Sequence, residues 1–375
     1  MNRPSARTGI SYTRTGLLLP LLILLNTTAL FADSVNTKER TVTKVAEGVY
    51  VIRHPDAPTG FPQSNTTVII GEREVFVVDS CYLTSAARED IAQIKQWTTK
   101  PVRYLLNTHW HGDHVMGNNT YWEAFPSLAI IAQAETQKQI EGYLSTTIAR
   151  YLKTTADLQQ RLETGKGADG KPLTEAEKTD LAKTIANREQ VMADWKNFAH
   201  RVPNVAFDRE LNIDIGNRAV QIKFLGRGNT NGDAVVYLPK EKILVAGDLL
   251  DHPVPYLGGG FPSELIATLQ RMAELDTEII VPGHGEVLRG NYGKTYLKQV
   301  IDFVQAIVAQ VKKEVYRLGN SPLNLEAVQK AVLEAIDVAA WRQKFAGDDK
   351  DNREFFDGFS MPGLITAAYA EVWGR

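Results

Sequence analysis

The chain has 375 residues, of which 42 are lysine or arginine and 44 aspartate or glutamate, giving a net charge of −2. Hydrophobic residues make up 43% of it, enough for one large or two modest cores, which excludes a disordered or collagen-like chain. The near-neutral balance argues against nucleic acid as a partner, since phosphate backbones need a basic face, and the single cysteine, Cys81, excludes internal disulfides and thiolate-rich metal sites.

Residues 1–16 carry Arg3, Arg7 and Arg14 and no acid; a leucine-rich run follows at 17–25, then small residues at Ala29 and Ala32. A basic stretch, a short apolar run and a small-residue exit form the pattern of a secretory signal peptide over residues 1–32. The run falls short of the ~20 residues of a membrane span. The expectation is cleavage after Ala32, a periplasmic or secreted protein, and no membrane attachment once the signal is removed.

Strands are predicted at 49–52, 66–70 and 75–78, with a hairpin through Gly71-Glu72-Arg73-Glu74. Segment 84–98 has helical period through Ile91, Ile94 and Trp97, and 102–106 is a buried strand running into His109. Strand, helix, strand and then a polar motif at a strand's carboxyl end is α/β order. Two amphipathic arms follow at 143–163 and 174–199, the second opened by a Thr174/Glu177 capping box, with a turn-rich link at 165–172. They read as an antiparallel helical hairpin within an insert of about 133–200, a candidate lid or homodimer surface. Further strands are predicted at 211–215, 219–225, 233–238, 243–247 and 278–281, and helices at 262–275 and 293–318 ahead of a mostly helical tail. The domain expectation is a core over 42–290 with a helical C-terminal extension over 291–375.

The chemistry begins at His109-Trp110-His111-Gly112-Asp113-His114. Three imidazoles and a carboxylate within six residues after a strand are a donor set suited to zinc. His109 and His111 can serve one ion while Asp113 and His114, a short turn onward, face a second. Two more islands follow strands: Gly247-Asp248 and Pro282-Gly283-His284-Gly285.

This hexapeptide, with the later islands in order, resembles the metallo-β-lactamase superfamily. The resemblance implies an αββα sandwich with the metal site along one edge of its two sheets, and one or two Zn2+ ions as cofactor. It implies ligands at His109, His111, Asp113, His114, Asp248 and His284, with Asp113 also orienting the attacking water as a catalytic residue. Asp79, after strand 75–78, matches an aspartate that orients a ligand histidine. The chain departs from the family at Gly226-Arg227-Gly228-Asn229-Thr230-Asn231-Gly232-Asp233, where Asn229 stands in the place of the third imidazole of site one. A carboxamide oxygen is a poorer zinc donor. Three outcomes stay open: one ion at site two, a second ion held weakly through Asn229, or a degraded site.

His252 is a candidate to compensate for Asn229 or else a loop-packing residue, and Tyr256 is a candidate oxyanion donor or else a buried tyrosine with a satisfied hydroxyl. His54 lies where the family often has a substrate-covering hairpin. The implied reaction is attack by metal-activated water on a small-molecule substrate. Predicted export makes a β-lactam, and hence antibiotic resistance, the leading expectation. A bridging Asp248 points instead to lactone, ester or thioester hydrolysis. A metal-depleted binding protein is the non-enzymatic alternative.

Overall fold

The computed structural model describes residues 39–319 and 324–372; the predicted signal peptide, residues 1–32, lies outside them. One sheet holds, in spatial and chain order, β1 (Thr41–Ala46), β2 (Val49–Arg53), β3 (Thr66–Ile70), β4 (Val75–Val78), β5 (Val102–Leu106), β6 (Ala129–Gln133) and β7 (Val205–Phe207). The other holds β8 (Glu210–Asp214), β9 (Ala219–Phe224), β10 (Ala234–Leu238), β11 (Ile243–Gly247), β12 (Ile279–Pro282) and β13 (Leu288–Arg289), its spatial order running from β13 to β8.

Alternation along these strands makes the layers. Phe76 and Val78 of β4 join Val236, Leu238 and Val245 in a core between the sheets, while Val75 and Val77 face the other way. There they meet Ala87, Ile91 and Ile94 of α1 (Thr84–Trp97) and, past the short α2 (Gly112–Val115), Tyr121 of α3 (Asn118–Ala124). Both faces are therefore buried, which is why β4, β10 and β11 read as unbroken apolar runs. The result is the αββα sandwich.

The insert is a helical hairpin of α4 (Ala134–Thr164) and α5 (Glu175–Asp194). At ~1.5 Å per residue α4 is about 46 Å long. It ends at Gly165, whose φ of 66° suits glycine, and α5 opens on the reciprocal Thr174/Glu177 capping box. α4 starts nine residues before the predicted arm, because its first turns are polar: buried Thr136 is fixed by a 2.7 Å bond to Gly232 O. The root of the hairpin packs on the sandwich through Ile140, Val191 and Trp195, against Tyr82, Val115 and Met116.

The outer face of the second sheet is covered by α6 (Pro262–Ala273), α7 (Gly290–Leu318), α8 (Leu325–Ala335), α9 (Val338–Ala346), α10 (Lys350–Phe355) and α11 (Met361–Val372). A single π turn, Phe356–Ser360, joins the last two. Leu269, Val300, Phe303, Phe356 and Leu364 share one core with Val235, Leu244 and Ile280, so the C-terminal helices are the fourth layer of the sandwich. Among the described residues no helix is long and apolar enough to cross a membrane.

Parallel pairing of β4 with β5 and of β11 with β12 points four carboxyl ends the same way within their sheets. Asp79, the 109–114 turn, Asp248 and His284 follow those four ends, the usual place for a ligand site in an α/β sheet.

Candidate metal centre

The turn after β5 is fixed by hydrogen bonds within the protein. Asp79, held at a φ of 60°, accepts three hydrogen bonds of 2.8 Å, from Thr108 N, Thr108 Oγ1 and His114 Nδ1. The last sets the His114 tautomer and aims Nε2 inward. Ser80 Oγ donates to His114 O at 3.1 Å and Ser64 Oγ to Asp113 O at 2.7 Å, clamping the turn's backbone from behind. Trp110 is wedged between His111 and Tyr143 of α4, which ties the insert to the motif. On the opposite sheet a Cβ at residue 283 would overlap Asp248 Oδ1, so only glycine lets the β11 and β12 ends approach.

Two donor groups result. Asp113, His114, Asp248 and His284 form one: His284 Nε2 lies 3.0 Å from Asp113 Oδ2, and His114 Nε2 lies 3.1 Å from Asp248 Oδ1 and 3.4 Å from Asp113 Oδ2. His109, His111 and Asp248 form the other, with His109 Nε2 3.0 Å from His111 Nδ1 and 3.3 Å from Asp248 Oδ2. Asp248 belongs to both, one oxygen towards each.

His114 Nε2 and Asp248 Oδ1 are buried without a hydrogen bond, an arrangement that costs free energy unless a further partner sits between them. A divalent cation is such a partner, and the N and O donors are those zinc accepts. The electrostatics agree. Burial alone would lower His284, but Asp248 and Asp113 hold it up at about 9. Burial would likewise raise Asp248, but His114, His109 and His284 hold it well below the usual carboxylate range. The pocket thus draws in positive charge. His111 is the exception, pushed down to about 3 by burial and His109, so it stays a neutral nitrogen donor.

Asn229 reaches the three-donor group, its amide nitrogen 3.4 Å from His111 Nδ1. It is the fourth side chain there and a neutral one. Its loop is held by buried Asp233, which accepts from Thr230 N and Thr230 Oγ1; burial raises this carboxyl to about 6. His252 does not replace the missing imidazole: its ring turns away to Tyr292 Oη at 2.9 Å, and only its backbone N–H touches the site, bonding His284 O at 3.1 Å. Tyr256 is 40% exposed, and its hydroxyl lies where a Cβ of residue 258 would be. His54 is buried, its ring bonded to Asp90 and Ser64 O. Sequence reasoning passed over Ser64 and Thr108, whose single hydroxyls carry no pattern, and Asp251, whose buried Oδ1 is unpartnered. The acidic spacing Asp248-Leu249-Leu250-Asp251 was the signal for the last.

The metallo-beta-lactamase superfamily matches residues 59–284, more than half of the chain and the whole donor set. The linear primary-alkylsulfatase of Pseudomonas sp. (strain ATCC 19151) is 22% identical over 269 residues, 69% of this chain and 48% of that protein. The chain therefore spans about half the length of that curated relative. Among solved structures, a metallo-beta-lactamase from Pontibacter korlensis aligns with a TM-score of 0.48 at 19% identity, over 71% of this chain and 99% of that one. The DIM-1 metallo-beta-lactamase aligns with a TM-score of 0.47 at 16% identity, over 71% and 98%. On its family match, and with two donor groups meeting at the strand ends, the chain belongs to the metallo-beta-lactamase superfamily of metal-dependent hydrolases.

Proposed function

We propose that the protein is an exported zinc hydrolase of small esters, a class that includes lactones and sulfate esters. The observation that supports this most is the shared carboxylate: Asp248 offers Oδ2 to the His109/His111 group and Oδ1 to the His114/His284 group. Asp113, His114, Asp248 and His284 would hold one cation; His109, His111 and Asp248, with the Asn229 amide, would hold a weaker second. Zinc held there would supply a Lewis acid and make water acidic enough to yield hydroxide near neutral pH. Asp113 is kept ionised by His114 and His284 against the pull of burial, so it can accept a hydrogen bond from a water and orient it. Asp79 holds His114 in register, and the Asn229 amide nitrogen lies 3.4 Å from His111 Nδ1.

Support for the ester class comes from the bridging position of Asp248 and from the curated relative, named for its action on linear primary alkyl sulfates. β-Lactam opening is the competing outcome, resting on predicted export. The test is a panel on zinc-loaded protein: p-nitrophenyl acetate, a γ-lactone, a primary alkyl sulfate and a chromogenic cephalosporin. One of the three esters should exceed the cephalosporin in kcat/KM by at least about tenfold, a transition-state preference of about 1.4 kcal/mol. A preference for the cephalosporin would replace this reading with the β-lactamase one. No turnover of any substrate at full metal occupancy would favour a binding protein. Export is checked by sequencing the amino terminus of protein recovered from the periplasm or medium.

A further inference from the structure

One loop, 251–261, runs from the His284 side of the metal centre to the Asn229 side. Asp251 begins it, His252 N bonds His284 O, Tyr256 lies midway, Gly260 abuts the Gly228 and Asn229 carbonyls, and Phe261 N closes it on Gly228 O at 2.7 Å. The C-terminal helices hold this loop from outside. Tyr296 Oη of α7 donates to Asp251 O at 2.5 Å and Pro253 O at 3.0 Å, and Ser360 Oγ of the π turn donates to Pro255 O at 2.5 Å.

The same π turn sets a row of rings beside the loop. Tyr256 packs on Phe355 at 5.7 Å, and Phe355 stacks on Phe359 at 5.6 Å. Phe359 is 61% exposed, a large apolar side chain left in water at the outer end of the row. Such local π geometry is frequent at functional sites. Tyr256 and Asp248 line one crevice, so the inner end of the ring row meets the carboxylate shared by both donor groups. That crevice has room for about 20 Å³, one or two waters, so an organic group must lie over the rings and not behind the loop.

We infer that Tyr256, Phe355 and Phe359 form the wall that binds the apolar part of the substrate, making the C-terminal helices the specificity element. The preferred substrates are then esters that carry an unbranched or flat apolar group. This rests on the ester-hydrolase reading, but the wall can be tested without turnover. In this assignment Tyr256 acts through its ring and not as an oxyanion donor.

The experiment pairs calorimetric binding with kinetics on zinc-loaded protein. Sodium octanoate and sodium acetate share a carboxylate and differ only in apolar length. Wild type should bind octanoate at least tenfold more tightly than acetate, and Phe359→Ala should cut that ratio at least fivefold, with Phe359→Leu restoring part of it. The ratio of kcat/KM for p-nitrophenyl octanoate over acetate should fall in parallel, and Tyr256→Phe should keep it. Equal binding of the two acids by wild type, or an unchanged ratio in Phe359→Ala, overturns the wall. So does a collapse of the octanoate-over-acetate ratio in Tyr256→Phe, which would make the hydroxyl and not the ring the working group. Octanoate preference that falls in Phe359→Ala without any ester turnover supports the wall and removes the ester reading. Ester turnover with no chain-length preference does the reverse. A melting temperature within the wild-type range for each variant excludes misfolding.

Discussion

Replacing Asp248 by alanine is expected to empty both donor groups at once. Losing even a partner that merely orients a ligand costs about 10–100-fold in metal affinity, and Asp248 is a donor to two groups, with 3.3 and 3.1 Å contacts to His109 and His114. The variant should therefore lose more than about 100-fold in zinc affinity and turn over ester only at high added zinc. Asp79→Asn, which touches His114 without entering the donor set, should fall within the 10–100-fold range. Asn229→His acts in the opposite sense, giving the weaker group a third imidazole and tightening its ion. Competition titrations with a zinc chelator measure all three. Equal affinity in Asp248→Ala and wild type would mean that the carboxylate bridges nothing.

The second large effect lies behind the site. His54, Cys81 and Asp90 form a fully buried cluster: His54 Nε2 is 2.9 Å from Asp90 Oδ2, Cys81 Sγ is 3.3 Å from His54 Nε2, and Arg40 Nη2 donates to Asp90 Oδ1 at 2.9 Å. His54 Nδ1 bonds Ser64 O, and Ser64 Oγ bonds the backbone of Asp113, so the cluster braces the metal turn. Asp90→Ala leaves an imidazolium buried without its counter-ion, for which about 3–5 kcal/mol is the usual cost. The melting temperature should drop by roughly 5 °C.

The pH dependence has a definite sign. Burial would lower His54, but Asp90 and Cys81 hold it well above 6.5, so its stabilisation is full below that pH and fades as pH rises through the raised pKa. Burial would raise Asp90, but His54 and Arg40 hold it below 3.8, so its stabilisation is present above that pH and fades in acid. The gap between wild type and Asp90→Ala should be widest between those values and close on both sides. Denaturant midpoints measured from pH 3 to 10 would show it; a gap that is flat across the range would mean that the pair carries no charge.

What could be read from the chain alone was local. The 109–114 motif places four donors within six residues, and each later donor follows an apolar run whose length marks a buried strand, so the α/β order was legible in the residues and the sandwich in the family resemblance they carry. Short strands were not. β7 has three residues and β13 has two, too few for any period to appear. The His54–Cys81–Asp90 cluster joins a strand end, a loop and a helix, and no spacing in sequence encodes that meeting. The meeting of Phe355 with Tyr256 was hidden for the same reason: a helical tail announces itself by period, but which loop it leans on is decided by the packing of α7 and α11 on the second sheet.

The central claim is that these imidazoles and carboxylates hold a catalytic cation, and metal analysis with thermal melting tests it most directly. Chelator-treated and zinc-soaked samples of the same protein should differ by one tightly bound ion per chain, with a second filling at higher zinc. The soaked sample should melt several degrees higher, since saturation at 100 times Kd adds about 2.7 kcal/mol. Equal melting temperatures and no retained metal after soaking would contradict the account.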